Sequence, residues 1–333
     1  MPILPYIDKE KKTIESPHVV LVGAGASKAA FPNGDACGRK LPLMNELTDV
    51  LDLKNTIKKY GYLGNTANFE AFYSEIFDKP QYGDLMNEIQ KRVREYFVTL
   101  EIPNTVTIYD YLILSLREKD IIATFNWDPL LLKAYLRNIK VKSLPTLVFL
   151  HGNVYLGVCL TDHQLGYLGS LCIKCHKPLQ PVQLLYPISK KDYNKDSVIK
   201  DQWDRLIDKL EDCYFFTIFG YSAPKTDYEA RNLMKKAWSI NKTVELSQIE
   251  IIDIKNSKEL SKNWSEFIIR SHYGTYSKFA NSWLWYFPRQ TCEALFDATM
   301  QNDPRKPTPF PKTDSLEELH KFINELEIEA LHI

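Results

Sequence analysis

Residues 18–27 read HVVLVGAGAS, a five-residue run carrying three valines and a leucine that opens directly into Gly23, Ala24, Gly25, Ala26 and Ser27. A short β-branched run without polar alternation suits a strand buried on both faces of a parallel sheet. The absent side chains of the turn let backbone N–H groups approach a pyrophosphate at the N-terminus of the following helix. Lys28 stands where the usual fingerprint has its third glycine. The stretch therefore has two readings, a dinucleotide turn or a plain tight turn.

Working outward, similar apolar runs recur at residues 120–124 (DIIAT), 146–150 (TLVFL), 214–219 (YFFTIF) and 249–254 (IEIIDI). Helical spacing separates several of them, at residues 128–137 and at 197–210, where Ile199, Trp203, Leu206, Ile207 and Leu210 share a face. Strand, helix, strand alternation predicts an α/β fold with a Rossmann-like parallel sheet covered by helices. Ligands of such folds bind beyond the carboxyl ends of the strands.

Two regions break the alternation within a domain expected over residues 1–300. Residues 43–118 read as helical throughout, with Phe69, Phe72, Ile76, Met86, Ile89, Val93 and Phe97 at core spacing, which predicts a helical insertion over the sheet. Residues 152–181 are turn-rich and hold three cysteines, which predicts a small separate module. A proline-rich linker is expected at 301–314, then an amphipathic helix at 315–333. Ser315 and Glu318 make a capping-box signature there, and Leu316, Leu319, Phe322, Ile323 and Leu326 form a stripe that faces either its own domain or another subunit.

Composition narrows the function classes. The 333 residues are 44% hydrophobic and 25% charged, as expected of a folded, soluble protein. Lysine plus arginine (42) balances aspartate plus glutamate (42), leaving no global field to draw the chain onto nucleic acid or anionic lipid. The aromatic cluster Trp283, Trp285, Tyr286 and Phe287, near Lys278 and Arg289, therefore reads as core rather than as a nucleic-acid platform. No apolar run approaches a membrane span, and the start MPILPYIDKEKK lacks signal-peptide order, so a cytoplasmic location is expected. Six cysteines in that setting predict thiols rather than a disulfide framework.

Polar groups gather where the strands end. The second strand delivers Asn126, whose amide can hold a ribose hydroxyl and a water, and Asp128, which either joins it or caps the helix opening at Pro129. The third runs into His151-Gly152, placing an imidazole suited to proton transfer near neutrality at the same edge. The fourth leads to Gly220, Tyr221 and Ser222, and the fifth ends near Asp253, which suits a ribose diol or a turn cap.

Taken in order, GAGAS, TFNWD (124–128), LHG (150–152), a CxxC module, FGYS (219–222) and IEIID (249–253) resemble the sirtuin superfamily. The resemblance implies an NAD+-binding domain in which the nicotinamide–ribose bond is broken. By motif, Gly23, Ala24, Gly25 and Ser27 would line the pyrophosphate, Asn126 and Asp128 the nicotinamide ribose, Gly220 and Ser222 the ribose and phosphates, and Asp253 the adenosine ribose. His151 would be the base.

Where a protein deacylase would show a phenylalanine-glycine-glutamate loop, this chain has Leu184, Leu185, Tyr186, Pro187, Ile188, Ser189 and Lys190. That stretch, Trp203 and the run GYSAPKTD (220–227) look like the bacterial sirtuin-like NADases of antiphage defence. An NAD+ hydrolase that depletes cellular NAD+ is thus expected, controlled by homo-oligomerisation or an activating defence partner. Protein deacylation, ADP-ribosyl transfer, and NAD+ or ADP-ribose sensing without turnover are the alternatives.

Cys172 and Cys175 resemble the second knuckle of the sirtuin zinc ribbon, and the first knuckle is altered to CLTDH (159–163). Cys159, His163, Cys172 and Cys175 are the expected ligands of a structural zinc ion, with His176 as a substitute.

Overall fold

The computed structural model describes residues 3–8, 13–188, 193–223, 227–300 and 303–331. Ser189 and Lys190, Pro224 to Thr226, Asn302 and the last two residues, all of which entered the sequence reading, lie outside that set. Six parallel strands form the central sheet: β1 (His18–Val22), β2 (Ile121–Thr124), β3 (Thr146–Phe149), β4 (Phe215–Phe219), β5 (Gln248–Ile252) and β6 (Tyr273–Tyr276). Their order is β6-β5-β4-β1-β2-β3. The chain builds outward from β1 in one direction, then returns to β1's other side with β4, so the order reverses between β1 and β4. Such a reversal opens a crevice at the carboxyl ends.

The continuous apolar run of β1 follows from burial on two sides. Val20 and Val22 face one core, Val19 and Leu21 the other, and every residue of the strand is buried. All five strands read from sequence are present. The sixth, β6, reads Tyr-Gly-Thr-Tyr at a sheet edge with every residue half-buried, so it lacks the apolar run that reveals central strands.

Helix α1 (Ala24–Ala30) leaves the glycine turn, α2 (Leu130–Arg137) follows β2, and α3 (Ser197–Glu211) and α4 (Tyr228–Ile240) flank β4. Asp196 caps α3 by accepting the N–H groups of Val198 and Ile199, and the helix buries Ile199, Trp203, Leu206 and Leu210. Between α1 and β2 lie the helices Leu47–Val50, Leu53–Lys59, Phe69–Phe77, Gly83–Val98 and Ile108–Leu114, the expected insertion. Phe69, Phe72, Ile76, Ile89, Val93 and Phe97 enter its core, whereas Met86 is half-buried and Leu85 takes the inner position beside it.

The cysteine region forms its own three-stranded antiparallel sheet, from Leu156–Val158, Leu165–Tyr167 and Gln180–Pro181. The last helix, Leu316–Leu331, buries Leu319, Ile323 and Leu326 against the same core as Tyr111, Trp285 and Phe310, so its stripe is filled by its own chain. Only half of the expected capping box forms: Ser315 Oγ accepts the Glu318 N–H, while the Glu318 carboxylate takes the Thr313 hydroxyl. Trp285 is core, and Arg289 is buried and paired with Glu327. Among the described residues no helix is long and apolar enough to cross a membrane.

Candidate active site at the carboxyl edge of the sheet

Strand register brings the candidates into line. Val22 pairs with Thr124 and with Phe219, and Thr124 pairs with Phe149. Two positions beyond these stand Ala24, Asn126, Tyr221 and His151, on strands that neighbour one another at roughly 4.8 Å. Gly220 and Asp253 follow the paired residues Phe219 and Ile252 directly.

The glycines at the β1/β4 reversal interlock. Gly23 N–H donates to the Phe219 carbonyl at 3.0 Å and Gly25 N–H to the Gly220 carbonyl at 2.9 Å. A Cβ on Gly23 or Gly25 would lie 2.6 or 2.8 Å from the Gly220 oxygen, and one on Gly220, whose φ is +59°, would lie 2.1 Å from the Ala26 nitrogen. These positions are glycine because two loops touch backbone to backbone. Ala26 N–H returns to the Gly23 carbonyl at 3.0 Å. The turn therefore spends the amides of Gly23, Gly25 and Ala26 on protein carbonyls, and the tight-turn reading describes them.

Beneath the turn lies a buried polar network. Asn126 Nδ2 donates to the Gly23 carbonyl and to Ser27 Oγ, both at 2.9 Å. Ser27 Oγ donates to Asp128 Oδ2 at 2.8 Å and lies 2.6 Å from the Tyr109 hydroxyl. A serine hydroxyl has one proton and two lone pairs, so with the proton on Asp128 it must accept from both Asn126 and Tyr109. The network thus runs in one direction, from Asn126 and Tyr109 through Ser27 to Asp128, and it fixes the Asn126 amide with Nδ2 inward.

Asp128 serves two partners. Its Oδ1 accepts the Leu130 N–H at 3.0 Å, the capping role, and Oδ2 holds Ser27. Burial raises its carboxyl above the ordinary range, against the opposing pull of Ser27 and the Leu130 amide. Burial, and then the nearby Asp128 charge, pushes the Tyr109 phenol well above its usual value, keeping it a donor.

His151 is buried in a different company. Its Nε2 lies 3.4 Å from the Tyr193 hydroxyl, its ring is parallel to that of Tyr193, and it meets Phe125 edge-on at 4.7 Å between centroids. Phe125 in turn stacks on Tyr221 at 4.3 Å, and the Tyr221 hydroxyl donates to Asp227. Asn126 sits in the polar network and His151 in the aromatic one, and the adjacent residues Phe125 and Asn126 join the two.

Ser222 is exposed on the β4 loop. Asp253 donates its N–H to the Tyr276 carbonyl and accepts the Lys255 N–H on Oδ1 at 3.0 Å, a turn-capping arrangement. Two cavities of about 560 and 540 Å³ flank β3 and share Leu147, Phe149 and Leu165; neither is lined by the glycine turn, Asn126 or His151. Tyr109 and Tyr193 were not singled out from sequence. Tyr109 lies in the apolar helix Ile108–Leu114 and Tyr193 in a turn, and only their hydroxyl partners distinguish them from packing aromatics.

In the cysteine module the fourth member is Asp162, not His163. The ligating atoms of Cys159, Asp162, Cys172 and Cys175 all lie within 4.8 Å of one another. Cys159 and Cys175 sulfurs are 3.4 Å apart, and Asp162 Oδ2 is 3.5 Å from Cys159 Sγ and 3.3 Å from Cys172 Sγ. Tetrahedral zinc with bonds of about 2.3 Å sets sulfurs roughly 3.8 Å apart, close to this spacing. The correction has a local cause. The Asp162 N–H donates to Cys159 Sγ, turning that carboxylate inward, and His163, at φ +52°, turns its side chain to the 560 Å³ cavity. A hydrogen bond to the Asp162 carboxylate, with weaker ones to the other thiols, holds the Cys175 thiol protonated up to about 12.

No family model matches the sequence, and no curated protein does. Among solved structures, a Sir2 homologue in complex with NAD is similar at 15% identity and a TM-score of 0.44, over 89% of this chain and 96% of that one. A serine-to-alanine mutant of a Sir2 homologue in complex with ADP-ribose is similar at 15% identity and a TM-score of 0.41, over 97% and 98%. A histidine-to-asparagine mutant of a Sir2 homologue, also with ADP-ribose, has 15% identity and a TM-score of 0.44, over 89% and 100%. The fold class rests on the strand order and register described above.

Proposed function

We propose that the chain is an NAD+ hydrolase that releases nicotinamide and ADP-ribose. The observation that carries this reading is the Asn126 amide, bound through Nδ2 to the Gly23 carbonyl and Ser27 Oγ at the β1/β4 reversal. A carboxamide locked in that way presents Oδ1 to a ribose hydroxyl or a water. Asp128 supports the same ribose, Gly220 and Ser222 border the phosphates, and Asp253 meets the adenosine ribose. The pyrophosphate is assigned to the start of α1, at Ala24, because its neighbours' amides are engaged. Ser27 acts by holding Asn126 and Asp128 rather than by touching the dinucleotide.

In the reaction, water attacks the ribose C1′, the bond to the pyridinium nitrogen breaks, and nicotinamide leaves with the electron pair. His151 takes the proton from the attacking water. Holding the sugar and excluding bulk water lower the barrier to an oxocarbenium-like transition state. Structural zinc is proposed on Cys159, Asp162, Cys172 and Cys175, stapling a module with little core of its own. In the cell, the proposed output is NAD+ depletion during antiphage defence, with homo-oligomerisation or a partner protein as the control and the cytoplasm as the location.

Incubating the pure chain with NAD+ and separating the products by chromatography tests the reading. Nicotinamide and ADP-ribose should appear in equal amounts, and Asn126→Ala or His151→Ala should each slow their release by about 10²–10⁴-fold. Turnover that requires acyl-lysine peptide, label transferred to protein, or saturable binding without nicotinamide would each overturn hydrolysis.

A further inference from the structure

Beside the proposed active site, two N–H donors are buried without an acceptor. Arg94, on the insertion helix Gly83–Val98, spends Nη2 on the Val182 carbonyl at 2.9 Å, while its Nη1 is buried and unpartnered. Among the described residues no carboxylate pairs with this guanidinium. Trp127, between Asn126 and Asp128, is 7% exposed, and its Nε1 is likewise buried and unpartnered.

Both lie near one residue, Tyr186, with which Arg94 interacts electrostatically. Its ring lies 4.8 Å from that of Trp127, and its hydroxyl donates at 3.4 Å to the Gln90 carbonyl, one turn before Arg94 on the same helix. Tyr73 stacks on Tyr186 at 4.9 Å, and Phe97 meets Trp127 edge-on at 6.2 Å, so the surroundings are aromatic and low in dielectric. Burial also lowers the proton affinity of Arg94 below its usual value, the signature of a cation lacking a counter-charge. Native structures rarely leave such buried donors unmet.

We propose that Arg94 and Trp127 form an oxyanion-recognition site against Tyr186, taking a carboxylate or phosphoryl oxygen of a small acid. The guanidinium supplies charge and the indole a second, fixed donor. The inference does not rest on NAD+ hydrolysis, and its test contains no NAD+.

Titrate the full chain calorimetrically with sodium acetate and, separately, sodium phosphate, at ionic strength held constant with sodium chloride. One saturable site per chain for either anion is expected, the responding anion identifying the oxygen's source. Arg94→Gln and Trp127→Phe should each weaken binding at least tenfold. No saturable binding of either anion, or equal affinity in wild type and both variants, would overturn the site and identify ordered water as the donors' partner. Should Trp127→Phe fail to fold, Arg94→Gln, on a half-exposed helix position, decides alone.

Discussion

Ser27 and Asp128 stand 101 positions apart, yet a 2.8 Å hydrogen bond joins them beneath the β1 turn. That bond orders the candidate site, because it commits the only proton of Ser27 and obliges Asn126 and Tyr109 to donate to the same oxygen. The amide of Asn126 cannot flip while Ser27 is present. Removing the hydroxyl takes a partner from three buried groups, Asn126, Tyr109 and Asp128, whereas removing Tyr109's takes one from two, Ser27 and Asn126.

Ser27→Ala is therefore expected to lower stability by about 1–3 kcal/mol, and Tyr109→Phe by about 1 kcal/mol or less. Urea unfolding monitored by far-UV circular dichroism measures both. If Ser27→Ala proved no more costly than Tyr109→Phe, the directed network would be wrong.

The interlocked loops make a steric prediction. Gly220→Ala places a Cβ 2.1 Å from the Ala26 nitrogen at φ +59°, and the backbone conformation alone should cost about 1–3 kcal/mol. At Gly83, where an added Cβ meets nothing within 4 Å and the backbone is helical, alanine should stabilise by about 0.4–1 kcal/mol. Opposite shifts in melting temperature are expected, and a Gly220→Ala protein as stable as wild type would refute the contact.

Two buried groups on one sheet face set opposing pH dependences. His18 Nε2 lies 2.8 Å from Thr217 Oγ1, which donates to Glu250 at 3.0 Å. Burial lowers His18 from 6.5 to about 3, so stability is lost as pH falls through that window, where the unfolded chain binds the proton more tightly. Burial raises Glu250 from 4.5 to about 7, so its contribution is full below 4.5 and is lost as pH rises toward 7. Each slope is about 1.4 kcal/mol per pH unit, and the two cancel where the windows overlap. Glutamine fits at 250, since Thr217 can accept its amide and donate to His18 instead. The stability of Glu250→Gln relative to wild type should then climb by about 1.4 kcal/mol per pH unit over the Glu250 window. Urea midpoints at three pH values read it, and a constant difference would contradict the assignment.

The cysteine module separates two neighbours. One equivalent of zinc should accompany the chain purified without chelator. Asp162→Ala should weaken its retention by about 10–100-fold or more, while His163→Ala should leave it unchanged. Elemental analysis after dialysis distinguishes them. Retention lost through His163 rather than Asp162 would reverse the ligand assignment.

Much of the site's outline was legible in residues 18–27, 124–128 and 150–152, because central strands buried on two faces must be apolar and must end in whatever the edge needs. The capping role of Asp128 was legible too, one residue ahead of Pro129. Asp162 was not: in CLTDH the aspartate and histidine are both acceptable ligands, and the choice depends on one backbone N–H turning toward Cys159. Nor was the stripe of the last helix decided, since an apolar face says that it will be covered and not by what.

What the amino-acid order determined by itself was local: which segments are strands or helices, and which residue types stand at strand ends. These follow from side-chain periodicity, which is a property of neighbours along the chain. Only the tertiary structure decided that Gly25 meets Gly220, that Ser27 and Tyr109 hold Asn126, and that Phe125 lies between the amide and His151. Those contacts join positions far apart in sequence, and they depend on the strand order reversing between β1 and β4, which no local pattern encodes.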